Sequence, residues 1–208
     1  MSTLLEYYRS GGPIMHAILA TAVLGLAVFF ERVYVLGLRS KGNSRDFVER
    51  VLRLVETGKT SEAVKLCGET PGAVPHIGEY VLKSGTRAES DLQNVADAAG
   101  LAVIPGLTRR LHYLPMLANV ATLLGLLGTI FGLREAFASV AMVSAAERSG
   151  RLAAGIAIAL NATGFGLLTA VPLSVAHAWL SSQAESMIER VDEFSVRLIN
   201  ALTAKRGE

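Results

Sequence analysis

The chain has 208 residues, 51% of them hydrophobic and 18% charged, with a mean hydropathy of +0.41. Those values exclude a disordered, charge-rich chain and fit a small polytopic membrane protein better than a soluble domain. A net charge of +2 is too small to argue for nucleic acid. The single cysteine, Cys67, offers neither an intrachain disulfide nor a metal cluster.

Residues 1–12 read as a short polar, tyrosine-bearing periplasmic segment. No Lys, Arg, Asp or Glu then occurs between Ser10 and Phe30, and about 20 apolar helical residues cross a hydrocarbon core roughly 30 Å thick. The first transmembrane helix is expected at 13–36, with Pro13 at a first helical position. No A-x-A cleavage site follows, and Glu31 and Arg32 close the stretch, so it reads as a retained helix. Its aliphatic and aromatic character predicts a peripheral anchor.

Residues 37–110 predict a cytoplasmic helical segment. Phe47, Val48, Val51, Leu52 and Val55 fall at helical spacing within 45–56. A second helix is expected at 60–67, opening on capping residues, then a loop at 69–72 and a third helix at 74–83. A fourth begins near Ala88 and, apart from a bend at Pro105, is expected to feed directly into the second span. No nucleotide-binding loop and no strand alternation stand out.

The second and third transmembrane helices are expected at 111–140 and 151–182, joined by a periplasmic link at 141–150. No charged residue occurs between Leu111 and Leu133 or between Leu152 and Ala184. The latter stretch would measure about 50 Å as helix, longer than the bilayer core, so the helix is expected to project beyond it. Glu185, Glu189, Arg190, Asp192, Glu193 and Arg197 continue at helical spacing into a cytoplasmic C-terminal helix, 183–208.

Arg39, Lys41, Arg45, Arg50, Arg53, Lys59, Lys65, Lys83, Arg87, Arg109 and Arg110 lie between the first two spans, whereas the short link holds only Arg148. The positive-inside rule therefore puts the large segment and the C-terminus in the cytoplasm and the N-terminus outside. Trp179 and Tyr34 read as interfacial anchors, and the cytoplasmic basic residues are candidates for contact with membrane lipids. His16 and His177, near span ends, read as interfacial hydrogen-bonders rather than proton relays.

The later spans are not simple anchors. Gly155, Ala159, Thr163, Gly166 and Ala170 recur on one helical face, as do Gly125, Gly128 and Gly132, the last two forming a GxxxG. Such stripes let helix backbones approach closely. Thr122 and Thr129, seven residues apart, share a face, and Thr163 lies within the third-span stripe. A hydroxyl satisfies itself cheaply on its own helix, but facing hydroxyls repeated around an oligomer make a polar belt that suits an ion constriction. Asn161 points away from that stripe. No carboxylate sits near the middle of any span, Glu31 and Glu135 lying toward span ends, and a proton pathway needs an intramembrane ionisable group. An ion-conducting chain would therefore need a carboxylate from another polypeptide. Paired intramembrane aspartates, HExxH and a Ser/His arrangement are all missing, which argues against an enzyme. A non-conducting scaffold, assembled through the same stripes, is the competing reading.

Leu123-Leu124-Gly125-Leu126-Leu127-Gly128-Thr129-Ile130-Phe131-Gly132 resembles the LLGLLGTV-x-G signature of the ExbB/TolQ/MotA proton-channel family. Ile156 to Leu167, followed by Thr169-Ala170-Val171-Pro172, is similar to that family's third span. Phe30-Glu31-Arg32-Val33 resembles the signature closing its first span, and Glu62 to Cys67 fits its early cytoplasmic helix. The resemblance covers almost the whole chain. It implies an all-α membrane protein with three transmembrane helices and long cytoplasmic extensions, homopentameric around a central pore in the bacterial inner membrane. It further implies a single-span ExbD/TolR/MotB-like dimer in that pore, whose aspartate carries the translocated H+, with Na+ as the alternative ion and no cofactor. The threonines matching Thr129 and Thr163 would face the pore, and Pro172 would shape the third span. Two departures stand out: Ile158 occupies the position of a third-span glutamate in ExbB and TolQ, and Ala121-Thr122 replaces an Ala-Pro. The driven process, whether import, envelope maintenance or motility, is not encoded in these motifs.

Overall fold

The computed structural model describes residues 12–40, 44–86 and 88–204. Expectations placed on residues 1–11, Lys41, Arg87 and 205–208 lie outside the described residues. Those described form seven helices and no strand: α1 (Ile14–Ser40), α2 (Arg45–Glu56), α3 (Thr60–Glu69), α4 (Ala73–Lys83), α5 (Glu89–Thr108), α6 (Tyr113–Val140) and α7 (Arg148–Ala204). Segments long and apolar enough to cross a membrane lie within Ile14–Gly37, Glu89–Val140 and Arg148–Ala204. The chain is thus an all-α protein with three membrane-spanning helices. It divides into two compact units, Met1–Phe30 with Arg110–Ala178, and Glu31–Arg109 with Trp179–Glu208.

The second unit is built from short amphipathic helices. Ser44 caps α2, its Oγ accepting from the Phe47 amide at 3.3 Å, and Asp46 adds a favourable charge in the first turn. Phe47, Val51, Leu52 and Val55 form its buried face. The helix ends at Gly58, whose φ of +84° favours glycine. The expected side-chain cap on α3 is not formed: Thr60 is already helical, and Lys59, at the capping position, offers no acceptor. From α3, Ala63 and Cys67 are buried; from α4, Val74, Ile77 and Val81; from α5, Leu92, Ala96 and Ala99. The distal part of α7 completes this core with Leu180, Met187, Val191, Phe194 and Leu198. Gly78 permits the closest approach, since a Cβ there would meet Cys67 Sγ at 3.0 Å and the Phe194 ring at 3.1 Å.

The helix from Glu89 does not run unbroken into the second span. It passes through Pro105 and stops at Thr108, and the break falls at Arg109 and Arg110. Arg109 is extended, and Arg110 adopts φ +65°, a conformation costly for a residue with a Cβ. Proline removes one amide donor without ending a helix, whereas a left-handed residue interrupts the helical backbone. Arg32, only 4% exposed, serves this break: its Nη1 donates to the Arg109 carbonyl at 2.6 Å and its Nη2 to Glu31 at 2.9 Å. The Glu-Arg pair closing the first apolar stretch therefore anchors the end of α5.

Burial pushes the Cys67 thiol up to about 12, with the negative charge of Glu79 adding to the effect. Glu79 itself is held below the ordinary carboxylate range, chiefly by the 2.6 Å hydrogen bond from Lys83. With its folded value above the ordinary 9.0, Cys67 keeps its proton in the fold. The associated stability is present below the ordinary value and is lost as pH rises toward the folded one. Maleimide labelling at about pH 8 is expected to be slow in the folded protein and complete after unfolding, because the thiolate is the reactive species. Rapid labelling of the folded chain would contradict the burial.

Candidate functional site

The site lies in the first unit, where α6 and α7 carry the two small-residue stripes. On α6 the buried face is Leu114, Ala118, Ala121, Gly125, Gly128, Gly132 and Ala136. On α7 it includes Gly155, Ala159, Ala162, Gly166, Ala170 and Leu173. Both sets follow the three-and-four spacing of one helical face, and the two faces meet in antiparallel register. A Cβ on Gly166 would lie 2.7 Å from the Ala121 carbonyl oxygen and 2.9 Å from Gly125 Cα. One on Gly132 would lie 3.0 Å from Ala159 Cα, and one on Gly155 2.9 Å from Ala136 Cα. Gly128 sits against Ala162 in the same way. Stripes of this kind let backbones touch where lipid offers no hydrophobic drive between helices.

The expected stripe on α7 needs one adjustment. Ala162, not Thr163, fills the fully buried seam position, and Thr163 stands half-buried beside it. Ala159 and Ala170 stand where the sequence puts them, whereas Ala118, Ala121 and Ala136 of α6 and Ala162 of α7 extend the seam beyond the expected stripes. The first helix also contributes more than a lipid-facing anchor. Met15, Ile18 and Thr21 are buried, and Gly25 lies against the Leu173 side chain, where a Cβ would come within 2.6 Å. Pro172 is exposed and sits inside α7 without ending it.

The threonines divide by what their hydroxyls do. Thr163 Oγ1 crosses the seam and donates to the Gly125 carbonyl at 2.9 Å. Thr122 donates to Ala118 at 3.1 Å and Thr129 to Leu126 at 2.6 Å, each within its own helix. Thr129 is half-buried and Thr122 exposed. Thr122 and Thr129 occupy the same flank of the α6 seam by helical spacing. Because the helices are antiparallel, the matching offset on α7 brings Thr163 to that same edge. With their protons engaged on carbonyls, all three oxygens retain acceptor lone pairs. Such an edge suits a protonated carboxyl or a cation.

Ile158 lines a separate cleft of about 470 Å³ in the same unit, with Pro13, Gly128, Phe131, Arg134 and Glu135. The cleft thus brings the aliphatic residue at the departing position beside the two charges of α6. Outside the seam, α6 exposes Leu123, Leu126, Ile130 and Phe137, and α7 exposes Leu160, Leu168, Val171 and Val175. These faces fit hydrocarbon or other transmembrane helices, not water.

Residues 74–193 match the family model described as the MotA/TolQ/ExbB proton channel family. The chain belongs to that family. It is similar to a putative biopolymer transport protein ExbB homolog of Methanothermobacter thermautotrophicus, 28% identical over 190 residues that cover 91% of this chain and 67% of that protein. The Tol-Pal system protein TolQ of Pseudomonas aeruginosa is 28% identical over 205 residues, covering 89% and 86%. A putative biopolymer transport protein ExbB-like 3 of Synechocystis sp. is 31% identical over 166 residues, covering 78% and 77%. Membership places the chain in a family of membrane proton-channel proteins.

Two expectations follow from the seam. Gly166→Ala drives a methyl into backbone that cannot rotate aside and should destabilise by about 1–3 kcal/mol. Gly37→Ala, with open space around the added methyl, should be neutral or stabilising by up to about 1 kcal/mol. Thermal denaturation in detergent separates them, and equal midpoints would refute the close approach. Thr163→Val should cost about 0.6–1.7 kcal/mol by losing the interhelical bond, while Thr122→Val changes stability little.

Proposed function

We infer that this chain is the pore-forming stator subunit of an ion-motive-force-driven machine in the bacterial inner membrane. Five copies surround a central pore, with α6 and α7 as its walls and the edge bearing Thr122, Thr129 and Thr163 toward the lumen. Two copies of a single-span ExbD/TolR/MotB-like partner occupy that lumen. The N-terminus and the 141–150 link lie in the periplasm, and residues 37–110 and 183–208 in the cytoplasm. The observation that carries this reading is a proton-channel chain whose three spans contain no central carboxylate. Protons need an ionisable carrier in the membrane, so the partner supplies an aspartate.

The aspartate takes a proton on the periplasmic side and, once neutral, donates a hydrogen bond to threonine oxygens at low desolvation cost. Releasing the proton to the cytoplasmic side restores a charge that the apolar wall disfavours. Alternation between these states moves the partner relative to the ring, and the motion does work on the envelope: transport of substrates or proteins, maintenance or motility. H+ is the ion the reading favours over Na+, and neither a cofactor nor catalysis by this chain enters it. Ile158 leaves conduction to the partner's carboxylate alone.

A non-conducting scaffold is the competing reading, favoured by one observation: the glycine stripes are consumed in packing α6 on α7. Flux through vesicles holding the chain and its partner distinguishes them. Thr129→Val should lower proton flux about five- to tenfold, the equivalent of about 1–1.4 kcal/mol. Thr163→Ser, which keeps the hydroxyl, should retain flux and Thr163→Val should not. Unchanged flux in a Thr129→Val, Thr163→Val double variant would remove the threonines from the path. Absence of any flux with the intact pair would favour the scaffold.

A further inference from the structure

The distal part of α7 carries opposite charge on its two flanks. On one side, α5 and α7 enclose an apolar groove of about 450 Å³ whose lining includes Leu101, Ile104, Val196 and Ile199, with Asp97 and Asp192. Leu101 is 77% exposed and Val196 56%. Helical spacing adds Glu185 and Glu189 to this side, both exposed. Among the described residues, Asp97 and Asp192 have no hydrogen bond or ion pair. On the other side, Arg190 and Arg197 of α7 join Arg45 of α2 around a cleft of about 300 Å³ that also holds Glu49 and Glu193. Three guanidiniums there meet two carboxylates, and Glu193 is already engaged by Arg197 at 3.3 Å. The buried residues Val191, Phe194 and Leu198 lie between the flanks, so the flanks point roughly opposite ways.

An apolar groove beside unpaired aspartates suits neither of the two solvents available. Hydrocarbon disfavours the carboxylates, and water disfavours Leu101 and Val196. A protein surface that is partly apolar and carries arginines satisfies both. The opposite flank of the same helix is such a surface, with the half-buried Val48 beside its arginines.

We propose that the α5–α7 groove receives the Arg45–Arg190–Arg197 flank of a neighbouring copy, joining copies head to tail. The proposal rests on the assembly of several copies set out above and names the contact that orders them. Insertion in the membrane fixes every copy in one orientation, so contacts repeat about an axis along the membrane normal. A two-fold axis there would bring groove against groove and set Asp97 and Asp192 against their own equivalents, a repulsive arrangement. The head-to-tail contact pairs unlike charges, and each copy then presents one groove and one flank, as a closed ring requires.

Cysteine crosslinking of the full-length chain in native membranes tests this, with Cys67 left in place because it is buried. A variant carrying both Val196→Cys and Glu49→Cys should give a ladder of multimers under mild oxidation, and either substitution alone should give none. Asp97→Lys with Asp192→Lys in that background should abolish the ladder, and adding Arg190→Asp with Arg197→Asp should restore it. Dimers from Val196→Cys alone would overturn the proposal by showing groove against groove. Multimers by light scattering with no ladder from the double cysteine variant would overturn it while leaving assembly intact. A monomer by light scattering would overturn both the contact and the assembly beneath it.

Discussion

The close approach of α6 and α7 is the constraint on which the membrane part of this protein depends. In lipid, apolar side chains gain nothing by leaving the surrounding hydrocarbon for one another, so helices associate through contact of backbones and a few hydrogen bonds. Gly125, Gly128 and Gly132 on one side, and Gly155 and Gly166 on the other, remove the atoms that would hold the axes apart. The proximity lets Thr163 reach the Gly125 carbonyl across the seam. A valine at 163 would still pack but could not donate, and a larger residue at 166 would press on the Ala121 carbonyl. Packing and polar chemistry at this seam are therefore one design.

That design also determines what the hydroxyls can do. A threonine in hydrocarbon has to place its proton on an acceptor, and here the acceptors are main-chain carbonyls on the same or the facing helix. The oxygens left over accept hydrogen bonds but supply no proton of their own. The edge bearing Thr122, Thr129 and Thr163 therefore cannot relay protons by itself. It can solvate a neutral acid, and spans without a central carboxylate leave that acid to another polypeptide.

Much of this was legible in the sequence because lipid imposes strong rules. Runs without charge fix spans, and glycine at three- and four-residue spacing fixes the face on which spans meet. Ala118, Ala121 and Ala136 of α6 escaped because alanine is common everywhere in apolar helices and carries little positional signal without a glycine pattern that reaches it. The division of labour between Ala162 and Thr163 was hidden for a related reason. Adjacent residues differ by about 100° on a helix, and spacing read from five small residues does not resolve which neighbour points straight at the partner. The break at Arg109–Arg110 was misplaced onto Pro105 because proline is the visible helix-breaker, whereas a left-handed arginine leaves no compositional mark. Its anchor, the buried Arg32, was recognised only as part of a motif.

Arg32 shows how a motif acquires a physical meaning. A guanidinium at 4% exposure is costly unless its donors are used, and two of them are, on the Arg109 carbonyl and the Glu31 carboxylate. Lysine would be a poorer substitute, because its compact ammonium lacks the planar fork whose separate nitrogens reach the two acceptors here. The acceptor at Arg109 closes α5 where the backbone turns left-handed at the next residue, so the bond stabilises a strained junction. A charged pair that looks like a simple end to an apolar stretch is, in the fold, what holds the terminus of another helix 77 residues later in the chain.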